Sequence, residues 1–120
     1  MRLAALLLLA FFSWGLAQPK IVTVDDLKAA LSNPKAFVID VRTPQEFAQG
    51  HVPGAVNWPL QEIERWWNRV PKDRVVYIHC NTQNRSGVAV RYLMGKGYNN
   101  LNLVAGGIQA WMSRGYPISR

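Results

Sequence analysis

The sequence predicts an α/β protein with a parallel central sheet and helices on both faces. Three observations predict it. Brief apolar runs alternate with amphipathic stretches along the chain, the order in which strands and crossover helices follow one another. The runs "AFVIDV" (36–41) and "RVVYIHC" (74–80) are continuously apolar or β-branched, as in strands covered on both sides. Helix-start and helix-stop residues fall between them, Thr43-Pro44 with Glu46 at one point and Gly97 at another.

Each element follows in order. "MRLAALLLLAFFSWGLA" has Arg2, an apolar run from Leu3 to Trp14, and small residues at Gly15 and Ala17, the layout of a secretory signal peptide cleaved after Ala17. The run is shorter than the ~20 residues of a membrane span. The expected organisation is therefore a signal peptide over 1–17 and one domain over 18–120, exported to a periplasm or secreted, with no stable membrane insertion after cleavage. "KIVTV" reads as a strand, and Thr23 as the cap of a helix with Asp25 and Asp26 in its first turn. A second strand closes on Asp40, and a short helix begins at Thr43, where Glu46 can complete a capping box.

"AVNWPL" predicts another strand, ended by Pro59. "QEIERWWNRV" predicts a helix with Ile63, Trp66, Trp67 and Val70 inward. After the strand ending at Cys80, "SGVAVRYLMGKG" predicts a helix with Val88, Leu93 and Met94 on one stripe. "LNLVAGG" is a last strand. "GIQAWMSRG" is a closing helix burying Ile108, Trp111 and Met112.

The net charge of +7 comes from scattered basic residues, with only Arg65, Arg69, Lys72 and Arg74 close together. It supplies a general pull on anions, and no nucleic-acid motif accompanies it. No metal-ligand cluster appears either. The chain has one cysteine, Cys80, so no intrachain disulfide is available. In an exported protein a single thiol is either a reactive group or a link to another molecule, while the structural alternative is a small buried hydrophobe.

The surroundings favour reactivity. Cys80 ends a central strand, where open α/β sheets bind ligands, and the loop "CNTQNR" leads directly into a helix. Such a turn gathers backbone N–H groups around one point, and the helix dipole adds to them. Both favour the thiolate, the nucleophilic form. Asn81, Thr82, Gln83 and Asn84 form the expected cradle, Arg85 is placed to fork an oxyanion, and Ser86 to cap the helix.

Two chemistries use such a cradle. Cysteine phosphatases place five residues between cysteine and arginine, whereas four intervene here, and the loop has no acidic residue to protonate an alkoxide. The tighter ring suits the terminal sulfur of a persulfide. A phosphatase or arsenate reductase is the alternative enzyme, and a non-catalytic sulfur-binding module is the alternative outside enzymes.

From about Val22 to Pro117 the chain resembles a single-domain rhodanese. The resemblance rests on three ordered blocks: "VIDVRTPQEFAQGHVPGAVNWPL", "VYIHCNTQNRSGVAVRYLMGKGY" and "LVAGGIQAWMSRGYPI". It implies a sulfurtransferase in which Cys80 takes the outer sulfur of thiosulfate, a polysulfide or a persulfide and passes it to cyanide or a thiol. The implied partners are small sulfur-containing anions and thiols, with no cofactor, no metal, and a monomer or weak homodimer. Asp40 and Arg42 match the family's "DVR" and are read as an internal ion pair. His51, in "GHVPGA", is read as structural support. His79 should face away from Cys80, since neighbouring strand residues alternate.

Overall fold

The computed structural model describes residues 18–120, so the expected signal peptide lies outside the described residues. Five strands form one parallel sheet: β1 Lys20–Val22, β2 Ala36–Asp40, β3 Val56–Asn57, β4 Val75–His79 and β5 Leu101–Val104. Their spatial order is β1-β5-β4-β2-β3. The helices are α1 Val24–Ala30, α2 Pro44–Gln49, α3 Ile63–Trp66, α4 Asn84–Gly95 and α5 Gly107–Ser113. No helix among the described residues is long and apolar enough to cross a membrane.

Strand alternation divides the core into two layers. Ile39, Val41, Val76, Ile78, Cys80, Leu101 and Leu103 face one side, under α3 and α4. Val38 and Val104 face the other with Val24 and Leu27 of α1 and Ile108 and Trp111 of α5. Period-two alternation alone produces this division.

Both capping boxes form. The Thr23 hydroxyl accepts from the Asp26 N–H while the Asp26 carboxylate accepts from the Thr23 N–H, and Thr43 and Glu46 do the same at α2. Each pair satisfies N-terminal amides that a helix cannot bond internally.

Four expectations change in detail. The strand expected over "AVNWPL" narrows to Val56–Asn57, because Pro59 has no N–H to extend the ladder. The expected helix over residues 61–70 is one α-turn flanked by 3₁₀ turns, with Trp66 and Val70 buried and Trp67 half-buried. On α4 the buried stripe is Ser86, Ala89, Val90 and Leu93, and Val88 is exposed. Five residues separate Val88 from Leu93, about 140° round the helix, so the two cannot share the face that Ser86, Ala89, Val90 and Leu93 turn to the sheet. On α5 Met112 is exposed, because Trp111 and the returning Tyr116 and Ile118 fill that side.

The register Asp40↔His79 sets the carboxyl ends of β2 and β4 side by side. From there the chain leaves β2 toward β3 and leaves β4 toward β5, in opposite directions. A crevice opens where connections diverge in this way. The loop carrying Cys80 lies at that crevice.

Candidate active site

Cys80 continues β4 and enters a turn that ends as α4 begins at Asn84. The residue is only 1% exposed and joins the apolar layer beneath α4. The enclosure of the structural alternative is thus present, but the backbone of the turn is arranged as no apolar packing requires. The carbonyl of Cys80 accepts from the Ile108 N–H at 2.9 Å, and that of Asn81 from the Gln109 N–H at 3.1 Å. The Thr82 carbonyl also faces Gly107, since a Cβ built there would lie 2.7 Å from it. The start of α5 therefore holds two successive carbonyls by hydrogen bonds and lies close against a third. In a planar trans peptide the N–H points opposite to the C=O. The N–H groups of Asn81, Thr82 and Gln83 therefore face away from α5, and they meet no acceptor among the described residues. Three successive donors without an acceptor in one turn are the kind of backbone from which anion-binding concavities are built.

Ser86 lies at the third position of α4 rather than at its cap. This corrects the expected capping role: the cap position is Gln83, three residues earlier than Ser86. Its hydroxyl lies 3.3 Å from Cys80 Sγ and donates to the Gln83 carbonyl at 3.2 Å. One hydroxyl thus serves the thiol and the turn together.

Arg85 is placed differently from the expectation of a guanidinium free to fork an oxyanion. Its two terminal nitrogens donate to Glu46 Oε1 at 2.6 Å and Oε2 at 3.0 Å. The Arg85 hydrogen bond is the main reason the Glu46 carboxyl is held down at about 2. The guanidinium is pushed up by Glu46 first and by Cys80 to a lesser degree. Glu46 was legible only as a capping residue. Its second role arises because the β2–β4 pairing brings α2's first turn to the Cys80 loop.

Beneath the loop lies a buried polar group. Arg42 donates from Nε to both Asp40 oxygens at 3.0 Å and from a terminal nitrogen to Oδ2 at 2.7 Å, and also reaches the Gly50 carbonyl at 2.8 Å. His79 lies beside them, Nε2 3.8 Å from Asp40 Oδ2 and Nδ1 3.2 Å from the Cys80 carbonyl. A carbonyl only accepts, so that contact places the proton on Nδ1 and leaves the buried Nε2 without a hydrogen-bond partner. Burial pushes the imidazole down and keeps it neutral, outweighing the opposing pull of Asp40.

His51 stands apart from the thiol's hydrogen bonds. It stacks on Phe47 with ring centroids 3.7 Å apart, its Nδ1 lies 2.9 Å from the Phe47 carbonyl, and its backbone pairs with Ser119. Asn81 and Gln83 are half-buried around the turn, and Thr82 and Asn84 point to solvent. No group of three or more potential metal-ligating side chains occurs among the described residues.

A model of the rhodanese-like domain matches residues 23–114. A sulfurtransferase from Allochromatium vinosum is 43% identical over 82 residues, covering 68% of this chain and 77% of its own. The thiosulfate sulfurtransferase GlpE of Pseudomonas entomophila is 33% identical over 88 residues, covering 73% and 80% respectively. Among solved structures, a rhodanese-related protein from Thermoplasma volcanium superposes with a TM-score of 0.77 at 32% identity, covering 83% of this chain and 97% of that one.

Proposed function

The chain belongs to the rhodanese-like domain family, and on that premise we propose that it is a sulfurtransferase carrying sulfur as a Cys80 persulfide. Relatives named as sulfurtransferases support the reaction class. The observation that carries the reading is the tie of the Cys80 and Asn81 carbonyls to Ile108 and Gln109, with the Thr82 carbonyl close to Gly107, which leaves the opposing amides of the Cys80 turn without an acceptor among the described residues. A buried thiolate needs that stabilisation, because taking an uncompensated charge out of water is costly. Fixed donors supply it without reorganising during reaction.

The Cys80 thiolate attacks the outer sulfur of a donor. With thiosulfate the S–S bond breaks, sulfite leaves with the bonding pair, and the Cys80 persulfide remains. The same amides then hold the charge on the outer sulfur until an acceptor thiolate or cyanide takes it. Burial of Cys80 means that donor and acceptor meet it end-on, one sulfur or carbon at a time. The composition of residues 1–17 supports export, which N-terminal analysis of the protein from its native host would test.

Intact-mass spectrometry after incubation with thiosulfate or polysulfide tests the chemistry. One added sulfur on the wild type and none on Cys80→Ser is expected. A wild type unmodified by both donors overturns the proposal. Turnover of a phosphate ester would indicate the phosphatase alternative, and a stable persulfide never passed to cyanide or a thiol would indicate a carrier module.

A further inference from the structure

Glu46 brings a negative charge to a loop whose own sequence has none. The Glu46–Arg85 pair is about one-third exposed, 33% and 34% for the two side chains, and Arg85, in the Cys80 loop, is near enough to Cys80 to feel its charge, which puts the pair at the rim of the site rather than in the core. Asn81, Thr82, Gln83 and Asn84 are all uncharged, which leaves Arg85 as the single cation of residues 80–86. That cation is neutralised by a carboxylate that stays ionised down to about pH 2. The amide dipoles of Asn81, Thr82 and Gln83 remain. They act strongly on an atom they touch, and weakly on charge held further out.

We propose that Glu46 determines donor specificity, cancelling the charge of Arg85 beside the Cys80 loop so that the site selects alkyl hydropersulfides, R–S–SH, over the thiosulfate dianion. The inference rests on the Cys80 persulfide chemistry above. In the favoured step the Cys80 thiolate attacks the outer sulfur of R–S–SH. Cys80–S–SH forms, the donor's S–S bond breaks, and RS⁻ leaves with the bonding pair, so no external oxidant or reductant is needed. Thiosulfate would give the same product as Cys80–S–S⁻, with sulfite leaving.

The two donors thus differ in the charge they bring, not in what they leave behind. With its outer sulfur directed at the buried Cys80, thiosulfate holds its sulfonate further out, toward the rim. There an anion must compete with Glu46 for the terminal nitrogens of Arg85. An alkyl chain brings no charge to that position and loses nothing to the competition.

Persulfide formation is measured on the purified protein with thiosulfate and with ethyl hydropersulfide, at about 20 and about 200 mM salt. The wild type is expected to favour ethyl hydropersulfide by about tenfold or more in kcat/KM. Glu46→Gln keeps an oxygen for Arg85 and Thr43 but removes the charge, and should raise kcat/KM for thiosulfate about tenfold at low salt. It should change the hydropersulfide value less than about twofold, and the thiosulfate gain should shrink at higher salt. Gln45→Lys adds a cation at an exposed position of α2 beside Glu46, outside the Cys80 loop, and should act in the same direction. Parallel changes with both donors in both variants overturn the proposal, as does a wild type that uses thiosulfate at least as fast as the hydropersulfide. No persulfide with either donor overturns the underlying Cys80 chemistry as well.

Discussion

Gly107 lies so close to Cys80 that a Cβ at Gly107 would fall 2.3 Å from the Cys80 carbonyl oxygen. Its φ of +54° is also in the left-handed region that side chains disfavour. The pair joins the start of α5 to the Cys80 turn, and the hydrogen bonds of Ile108 and Gln109 follow from the close approach.

Gly107→Ala is therefore expected to destabilise the fold by on the order of 3 kcal/mol or more, since left-handed strain and backbone collision add. Gly54→Ala is the control. Gly54 also has a positive φ, +82°, but nothing lies within 4 Å of the built Cβ. It should cost only about 1–2 kcal/mol. Urea unfolding separates the two, and equal costs would mean that the contact with the Cys80 turn is not the constraint. Where Gly107→Ala is still folded, its rate of persulfide formation should also fall, while that of Gly54→Ala should not.

The Ser86 hydroxyl lies near two groups, Cys80 Sγ and the Gln83 carbonyl. When the thiol is ionised, the sulfur becomes the stronger acceptor and draws that hydrogen. Ser86→Ala should slow alkylation of Cys80 by iodoacetamide at neutral pH by about three- to tenfold, a hydrogen bond to a charged group being worth more than a neutral one. The Gln83 carbonyl keeps its bond from the Gly87 N–H at 2.8 Å, so stability should fall by only about 1 kcal/mol. An unchanged alkylation rate would remove Ser86 from the thiolate's stabilisation.

How far the sequence reveals such a site depends on the range of the interaction. Thr43, Pro44 and Glu46 mark the start of α2 within four residues, and the structure contains that capping box. The continuous apolar runs likewise identify β2 and β4, because burial on both faces leaves no polar alternation. The bond between Glu46 and Arg85 spans 39 residues and exists only because Asp40 pairs with His79. No local pattern encodes that register. Gly106-Gly107 is readable as a tight turn, but its close contact with the Cys80 carbonyl depends on where β5 delivers the chain. Val88 and Met112 show a different limit. Val88 is five residues from Leu93, about 140° round the helix, and so falls off the stripe of Ser86, Ala89, Val90 and Leu93, while Met112 lies at a helical spacing from Ile108 that only the packing of Trp111, Tyr116 and Ile118 decides.

Glu46 also makes stability depend on acidity. Its carboxyl is held at about 2 in the folded protein by Arg85, against an ordinary value of 4.5. A depressed folded value stabilises the protein above the unfolded value, and that stabilisation is lost as pH falls through the folded one. The Glu46 contribution should therefore be complete above about pH 4.5 and decline toward about pH 2. Thermal midpoints over that interval should fall less in Glu46→Gln than in the wild type, the pair's partial exposure keeping the difference modest. Parallel curves for the two proteins would show that the ion pair makes no contribution.

Asp40 and Arg42 present the opposite case, a pair that the solvent does not screen. Both are buried, and the Asp40 carboxylate accepts from the Arg42 side chain and also from its backbone N–H at 3.0 Å. Asp40→Asn keeps the shape but leaves a buried guanidinium with no countercharge. The neutral His79 beside it supplies none. Breaking such a pair from one side is expected to cost about 3–5 kcal/mol. Replacing both partners, as Asp40→Leu with Arg42→Met, removes the orphaned charge and should recover most of that loss, because an apolar pair of similar volume is often neutral in a buried site. Recovery should stop about 1–2 kcal/mol short, since the Gly50 carbonyl and the Arg42 N–H lose their partners. Chemical denaturation of the three proteins measures the cycle. A single variant within about 1 kcal/mol of the wild type would mean that water reaches the pair despite its burial. A double variant as unstable as the single one would place the cost in lost hydrogen bonds rather than in the unpaired charge.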